Sequence, residues 1–179
     1  MSDARNPVRR QVLTAAVAAC SLAVLPGRAS EAVDTRNRQG AAMTKLTPYL
    51  LFDGNCRQAM EFYRSCFGGE LTIMKVMDSP AKDRMEAFQQ EKAVNARLVS
   101  GSVEISASDW LRPDRVRLQG NTNCLYLSEC SPTELRTYFD KLSEGADITD
   151  PLSEQFYGMY GALNDRFGVR WMFRAAAAA

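Results

Sequence analysis

Histidine is absent from all 179 residues. It is the side chain that ordinarily titrates near neutral pH and the commonest metal ligand, so its absence excludes a Ser-His-Asp triad, a Cys-His pair and any His-containing zinc site. Charge of one sign is lacking too: 22 lysines and arginines stand against 21 aspartates and glutamates. That balance supplies no broad basic field, and nucleic acid is not expected as a partner. The five cysteines, Cys20, Cys56, Cys66, Cys124 and Cys130, include no C-x-x-C pair and leave one over. Cys56 and Cys66 fall in one predicted helix, about 15 Å apart along its axis, too far to bridge, so a disulfide framework is not expected. The uncharged apolar run 12–25 is too short for a convincing membrane span, and no integral span is expected.

What is present falls into three parts: a leader over 1–42, a domain over 43–174 and an alanine tail over 175–179. The leader has a charged start, the apolar run, a Pro26-Gly27 break and small residues at Ala29, Ser30 and Ala32, the layout of a secretory signal. Arg9-Arg10 followed by Gln11, Val12 and Leu13 resembles a twin-arginine export motif, which implies a periplasmic or exported protein. The alternative is that translation begins at Met43 and the domain is cytoplasmic.

Within the domain one pattern occurs twice. "PYLLFD" (48–53) reads as a strand and "GNCRQAMEFYRSCFGG" as a helix, with Asn55 as N-cap, Gln58 as its capping-box partner and Gly68-Gly69 as the stop. Ala59, Phe62, Tyr63 and Cys66 form its apolar stripe at i, i+3, i+4, i+7. Strands are predicted from Glu70, Val94 and Ser102, the last two joined tightly at Gly101-Ser102. The polar segment 79–92 reads as a short helix or ordered loop.

The pattern restarts at "TNCLYLSE" (122–129). Ser131 caps a second helix with Pro132 at its first position and Glu134 as capping-box partner, and Leu135, Tyr138, Phe139 and Leu142 repeat the stripe. Three more strands are expected near 148–152, 159–163 and 169–173. The predicted fold is therefore α+β: two tandem βαβββ modules, about 45–108 and 121–174, forming a curved mixed sheet with helices on its outer face.

In "FGVRWMF" (167–173), strand alternation places Val169, Trp171 and Phe173 on the core face and Arg170 and Met172 on the other. By the same rule Val103 and Ile105 face the helices and Glu104 the opposite side, where it is either a site carboxylate or a solvated one. Cys124 reads as a ligand, a reactive thiol or an inert small side chain. Tyr157 and Tyr160 are placed to stack on a ligand or to fill a bend at Gly158 and Gly161. Arg112, Arg115 and Arg117 form either an anion clamp or a solvated linker.

"PYLLFDGNCRQAMEFYRSCFGGE", "NARLVSGSVEISASD" and "PLSEQFYGMYGALNDRFGVRWMF" resemble the PhnB-like branch of the vicinal oxygen chelate superfamily, which includes glyoxalases, bleomycin-resistance proteins and extradiol dioxygenases. The resemblance spans roughly 45–174. It implies a homodimer whose paired modules enclose a cavity and, in metal-using members, a His and a Glu from each half. Those four places fall here at Pro48 or Tyr49, Glu104, Cys124 and Met172, and a further histidine of the pattern falls at Asn95. A thioether and a proline do not hold a hard divalent cation.

The first expectation is therefore a small-molecule binding protein without the usual metal site or other cofactor, with Asn95, Glu104, Cys124, Tyr157, Tyr160, Arg170 and Met172 as cavity residues. Whether it is an enzyme stays open. One alternative is a lyase, isomerase or dioxygenase using Zn, Ni, Fe or Mn held by Glu104 and Cys124 with atypical ligands; another is a non-catalytic interaction domain. Some relatives carry a methyltransferase label, but no glycine-rich cofactor loop follows a strand.

Overall fold

The structure, a computed structural model, describes residues 44–120 and 122–176. The expectations for the leader fall on 1–42, outside the described residues. Elements follow in the order β1 (Tyr49–Phe52), α1 (Cys56–Phe67), β2 (Glu70–Lys75), β3 (Ala93–Ser100), β4 (Val103–Asp109), β5 (Leu125–Leu127), α2 (Pro132–Leu142), β6 (Asp147–Gln155), β7 (Gly158–Asn164) and β8 (Arg170–Ala175). The repeated βαβββ pattern is present as read. Each module is one four-stranded sheet, in the orders β1-β4-β3-β2 and β5-β8-β7-β6. In each, the first strand runs parallel to the last and the remaining pairs are antiparallel. Segment 76–89 forms three short 3₁₀ turns instead of a regular helix.

Helix α1 forms because its apolar stripe has somewhere to go: Ala59, Phe62, Tyr63 and Cys66 are all buried. Its N-terminus departs from the sequence reading. The Asn55 side chain makes no capping hydrogen bond, and the buried Asp109 carboxylate, at the end of β4, takes over the function. Asp109 Oδ1 accepts from the Cys56 amide at 2.9 Å, while Oδ2 accepts from the Ala93 amide at 2.7 Å. A distant carboxylate at the first turn satisfies an orphan donor and complements the helix dipole better than a neutral local amide. Gly69, at φ +83°, follows the helix so closely against β3 that an added Cβ would lie 2.2 Å from the Val99 carbonyl.

Helix α2 keeps its local cap: Ser131 Oγ accepts from the Glu134 amide at 3.2 Å, with Pro132 in the first turn. Only half of the expected capping box is seen, because the Glu134 carboxylate accepts from the Tyr138 hydroxyl at 3.1 Å one turn on.

The core is shared between modules. Tyr63 on α1 packs edge-on against Trp171 of β8, with ring centroids 5.5 Å apart, and Phe67 lies 5.6 Å from the same indole. Phe139 on α2 meets Phe173 at 5.1 Å. A Cβ on Gly161 would come within 3.0 Å of the Phe139 ring, so absence of a side chain lets helix and sheet close.

Asp165, 4% exposed, fastens the junction. Its Oδ2 accepts from the Tyr63 hydroxyl at 2.7 Å and Trp171 Nε1 at 2.8 Å; its Oδ1 accepts from the amides of Phe167 and Val169 at 2.9 and 3.0 Å. Burial, followed by the adjacent carboxylate, pushes the Tyr63 phenol far above its usual range. Among the described residues no helix is long and apolar enough to cross a membrane.

Candidate functional site

Turning Trp171 and Phe173 into the core obliges Arg170, Met172 and Arg174 to the opposite face of β8. The cross-strand register extends that face. Met172 lies between Tyr126 on β5 and Ala162 on β7, and Arg174 lies beside Tyr160. In the first module the same alternation places Tyr49 beside Ser106 and Arg97, Glu104 beside Val99, and Asn95 beside Met74.

The edge strands β1 and β5 line two adjoining cavities of about 560 and 640 Å³, within the roughly 300–1,000 Å³ usual for small-molecule sites. The first lies among the start of β1, the β3–β4 turn and β5, and includes Glu104. The second runs along β1 to the inter-module linker and the turn before β8, and includes Arg170. Pro48, Cys124 and Leu125 line both. Glu104, Cys124 and Arg170 are thus brought to one continuous region. Met172 joins them through Cys124, whose Sγ lies 3.2 Å from the Met172 sulfur.

Tyr157, Tyr160, Asn95 and Met172 are not in the walls of either cavity. The two tyrosine rings lie 6.2 Å apart, and the Arg174 guanidinium sits 5.8 Å from the Tyr157 ring. Burial and then the nearby Asp150 carboxylate raise the Tyr160 pKa, so its hydroxyl remains a donor at neutral pH. Asn95 is exposed on β3, beside Met74.

Glu104 is engaged on both oxygens. Oε1 accepts from Arg97 Nη2 at 2.9 Å and Nε at 3.1 Å, and Oε2 accepts from Lys45. These two cations hold the carboxyl below the usual carboxylate range. Sequence reading missed both partners. Arg97 was within reach, since the hairpin at Gly101 sets it diagonally across from Glu104; Lys45, near the start of the domain, gives no local signal.

Other cysteines offer little chemistry. Burial pushes the Cys56 thiol up to about 12 and raises those of Cys66 and Cys130, leaving them protonated. The four places that a superfamily metal would use therefore present a carboxylate held by two cations, a thiol against a thioether, and Pro48 or the phenol of Tyr49. That donor set does not fit a hard divalent cation, which needs several free oxygen or imidazole ligands. No group of three or more His, Cys, Asp or Glu able to hold a metal occurs among the described residues.

A protein-family model described as 3-demethylubiquinone-9 3-methyltransferase matches residues 44–173. Over 138 residues the chain is 30% identical to Protein YjdN of Escherichia coli (strain K12), covering 71% of this chain and 92% of that protein. The solved structure of protein PA1353 from Pseudomonas aeruginosa superimposes with a TM-score of 0.68 at 33% identity, over 76% of this chain and 100% of that one. A Bacillus cereus structure described as a putative 3-demethylubiquinone-9 3-methyltransferase, PhnB protein, aligns with a TM-score of 0.60 at 24% identity, over 74% of this chain and 100% of that one, a likeness of fold. The paired βαβββ modules around a strand-lined cavity form a glyoxalase-like α+β fold, the fold shared with the Bacillus cereus structure. The chain belongs to the family whose model is described as 3-demethylubiquinone-9 3-methyltransferase.

Proposed function

We propose that this domain binds a small molecule at the junction of β1 and β5 and does so without the superfamily's usual metal. One observation carries the reading: two cavities of about 560 and 640 Å³ meet at Pro48, Cys124 and Leu125, where Glu104 is neutralised by Lys45 and Arg97. The ligand has an apolar body, for which Val103, Leu125, Leu127 and Tyr126 supply contact, and a polar or anionic end, which Arg170 meets in the second cavity. The polarisable Cys124–Met172 pair adapts its shape to the guest. Exposed Tyr49, Leu51, Met74 and Tyr126 on the strand face suit a homodimer in which a second copy helps cover the ligand.

Methyl transfer forms no part of this reading, despite the wording of the family description. The β1–α1 connection carries Gly54 alone, without the run of glycines by which a nucleotide-type cofactor approaches a helix N-terminus.

A thermal-shift screen against small acids, ketones and glycopeptide drugs tests the proposal, since a ligand at 100 times its Kd stabilises the native state by about 2.7 kcal/mol. The expected result is at least one stabilising compound whose effect disappears in a Cys124→Phe variant, which fills the junction while altering only an exposed position. A broad library in which no hit depends on Cys124 would reject it.

A further inference from the structure

We propose a second binding site, adjoining the second strand-lined cavity, for a small organic anion that carries a planar ring. The inter-module linker 111–120 does not lie loosely on the surface. Gln89, 3% exposed, donates from Nε2 to the Leu111 carbonyl at 2.9 Å, and the Trp110 indole donates to the Arg115 carbonyl at 2.9 Å. The Trp110 amide donates to the Phe52 carbonyl at 2.6 Å, and Arg115 closes a turn onto the Arg112 carbonyl at 3.2 Å. At the far end Arg117 Nη2 donates to Gln119 Oε1 at 3.2 Å, and Gln119 Nε2 to the Gly168 carbonyl at 2.7 Å. Side chains thus hold the linker backbone at two carbonyls, those of Leu111 and Arg115, which a mere tether would not need.

The pinning makes a wall. A cavity of about 350 Å³ opens between this linker and the 3₁₀ turn 87–89, and Lys92, Arg112, Arg115 and Arg117 all line it against a single carboxylate, Asp53. That volume equals the share of about a dozen waters at ~30 Å³ each, enough for a small ring bearing one anionic group. Four cations around one recess with Asp53 as the only carboxylate in its lining give it a positive field that an anion would meet. The other carboxylate close to Arg115 is Asp114, at 3.8 Å and largely in solvent, which offers little compensation. Guanidinium forks match phosphate and carboxylate oxygens two at a time.

Aromatic walls supply the rest of the chemistry. Trp110 and Phe88 line the same cavity, Phe88 is 63% exposed, and the Lys92 ammonium lies 5.8 Å from its ring. A large exposed aromatic beside a cation is suited to stacking a planar group whose substituent carries negative charge. The recess shares Trp110, Val116 and Arg117 with the second strand-lined cavity, but Phe88, Lys92, Arg112 and Arg115 line the recess alone.

Phenyl phosphate and inorganic phosphate are the probes, titrated into the full chain at low ionic strength and followed by calorimetry and tryptophan fluorescence. Trp110 is half-buried at the site whereas Trp171 is 2% exposed in the core, so a fluorescence change reports on Trp110. Saturable binding of phenyl phosphate is expected, tighter than that of inorganic phosphate and weakening as salt rises. The double variant Arg112→Gln/Arg115→Gln should bind at least tenfold more weakly, about 1.4 kcal/mol or more. Both positions are exposed, so folding is not at stake. Arg170→Gln, in the strand-lined cavity, should leave binding unchanged. Absence of saturable binding, an unaltered affinity in the double variant, or a loss caused instead by Arg170→Gln would each overturn the assignment, and equal affinity for the two probes would overturn the ring.

Discussion

Both nitrogens that the Arg97 guanidinium offers to Glu104, Nη2 at 2.9 Å and Nε at 3.1 Å, converge on one carboxylate oxygen, and Lys45 holds the other. The residue that falls at a metal-carboxylate place in the superfamily resemblance is thus paired with two cations. Its lowered pKa carries a consequence for stability. A group whose folded pKa is depressed stabilises the fold fully above its ordinary value, here 4.5, and loses that contribution as pH falls through the lowered one. Glu104→Gln should therefore melt below the wild type at neutral pH, with the gap closing in acid well under 4.5. A gap of constant size across that range, measured by thermal unfolding as a function of pH, would show that the ion pairs contribute nothing.

Cys124 is exposed at the meeting of the two cavities, whereas Cys56 and Cys66 are buried with raised pKa values and Cys130 is half-buried. Among the described residues it should be the first thiol to react with a maleimide under native conditions. Peptide mapping after brief labelling checks this, and a stabilising ligand found by screening should slow the reaction. Equal labelling of Cys66 and Cys124 would contradict the burial on which the assignment rests.

The Asp165 node joins α1 to β8, and its removal should be costly. Asp165→Ala leaves the Tyr63 hydroxyl and the Trp171 indole without an acceptor in the core, at about 1–3 kcal/mol for each buried unsatisfied group. Denaturant unfolding should show a loss of several kcal/mol. Tyr63→Phe should cost less. It should also reduce an alkaline dependence present in the wild type: a raised phenol pKa contributes stability that is complete below the unfolded value of 10.0 and declines as pH rises beyond it. Identical alkaline profiles for wild type and Tyr63→Phe would count against the buried phenol.

Helix caps give a paired comparison. Ser131→Ala removes an observed cap bond and should cost about 1 kcal/mol, as N-cap truncations do, while Asn55→Ala removes none and should be close to neutral. Asp109→Asn, which weakens the acceptor shared by Cys56 and Ala93, should exceed both. Chemical denaturation of the three variants orders them directly.

These contrasts mark where the sequence was informative. The stripes of α1 and α2 and the alternation of 169–173 were legible because helix and strand periods are local, and they placed Tyr63, Phe139, Trp171 and Phe173 in the core. The strand pairing at Gly101 followed from local turn chemistry for the same reason. What escaped was carried by residues far apart in the chain. Asp109 replaced Asn55 as a cap from 53 residues away, and Asp165 looked like an ordinary turn residue although one of its partners, Tyr63, lies 102 residues earlier. Lys45 reaches Glu104 across 59 residues. Tyr157 lies in the turn before β7 and Tyr160 on that strand, but cavity walls depend on how strands from different modules approach, which strand period does not specify.

Metal content decides between a metal-free binding site and a metal-dependent enzyme most directly. The full chain, purified without chelator, is analysed for Mn, Fe, Ni and Zn by plasma mass spectrometry beside Glu104→Ala, with the thermal midpoint recorded before and after EDTA. The expected result is far less than one equivalent of any metal and no change in the midpoint. A stoichiometric metal that is lost in Glu104→Ala would contradict the proposed function.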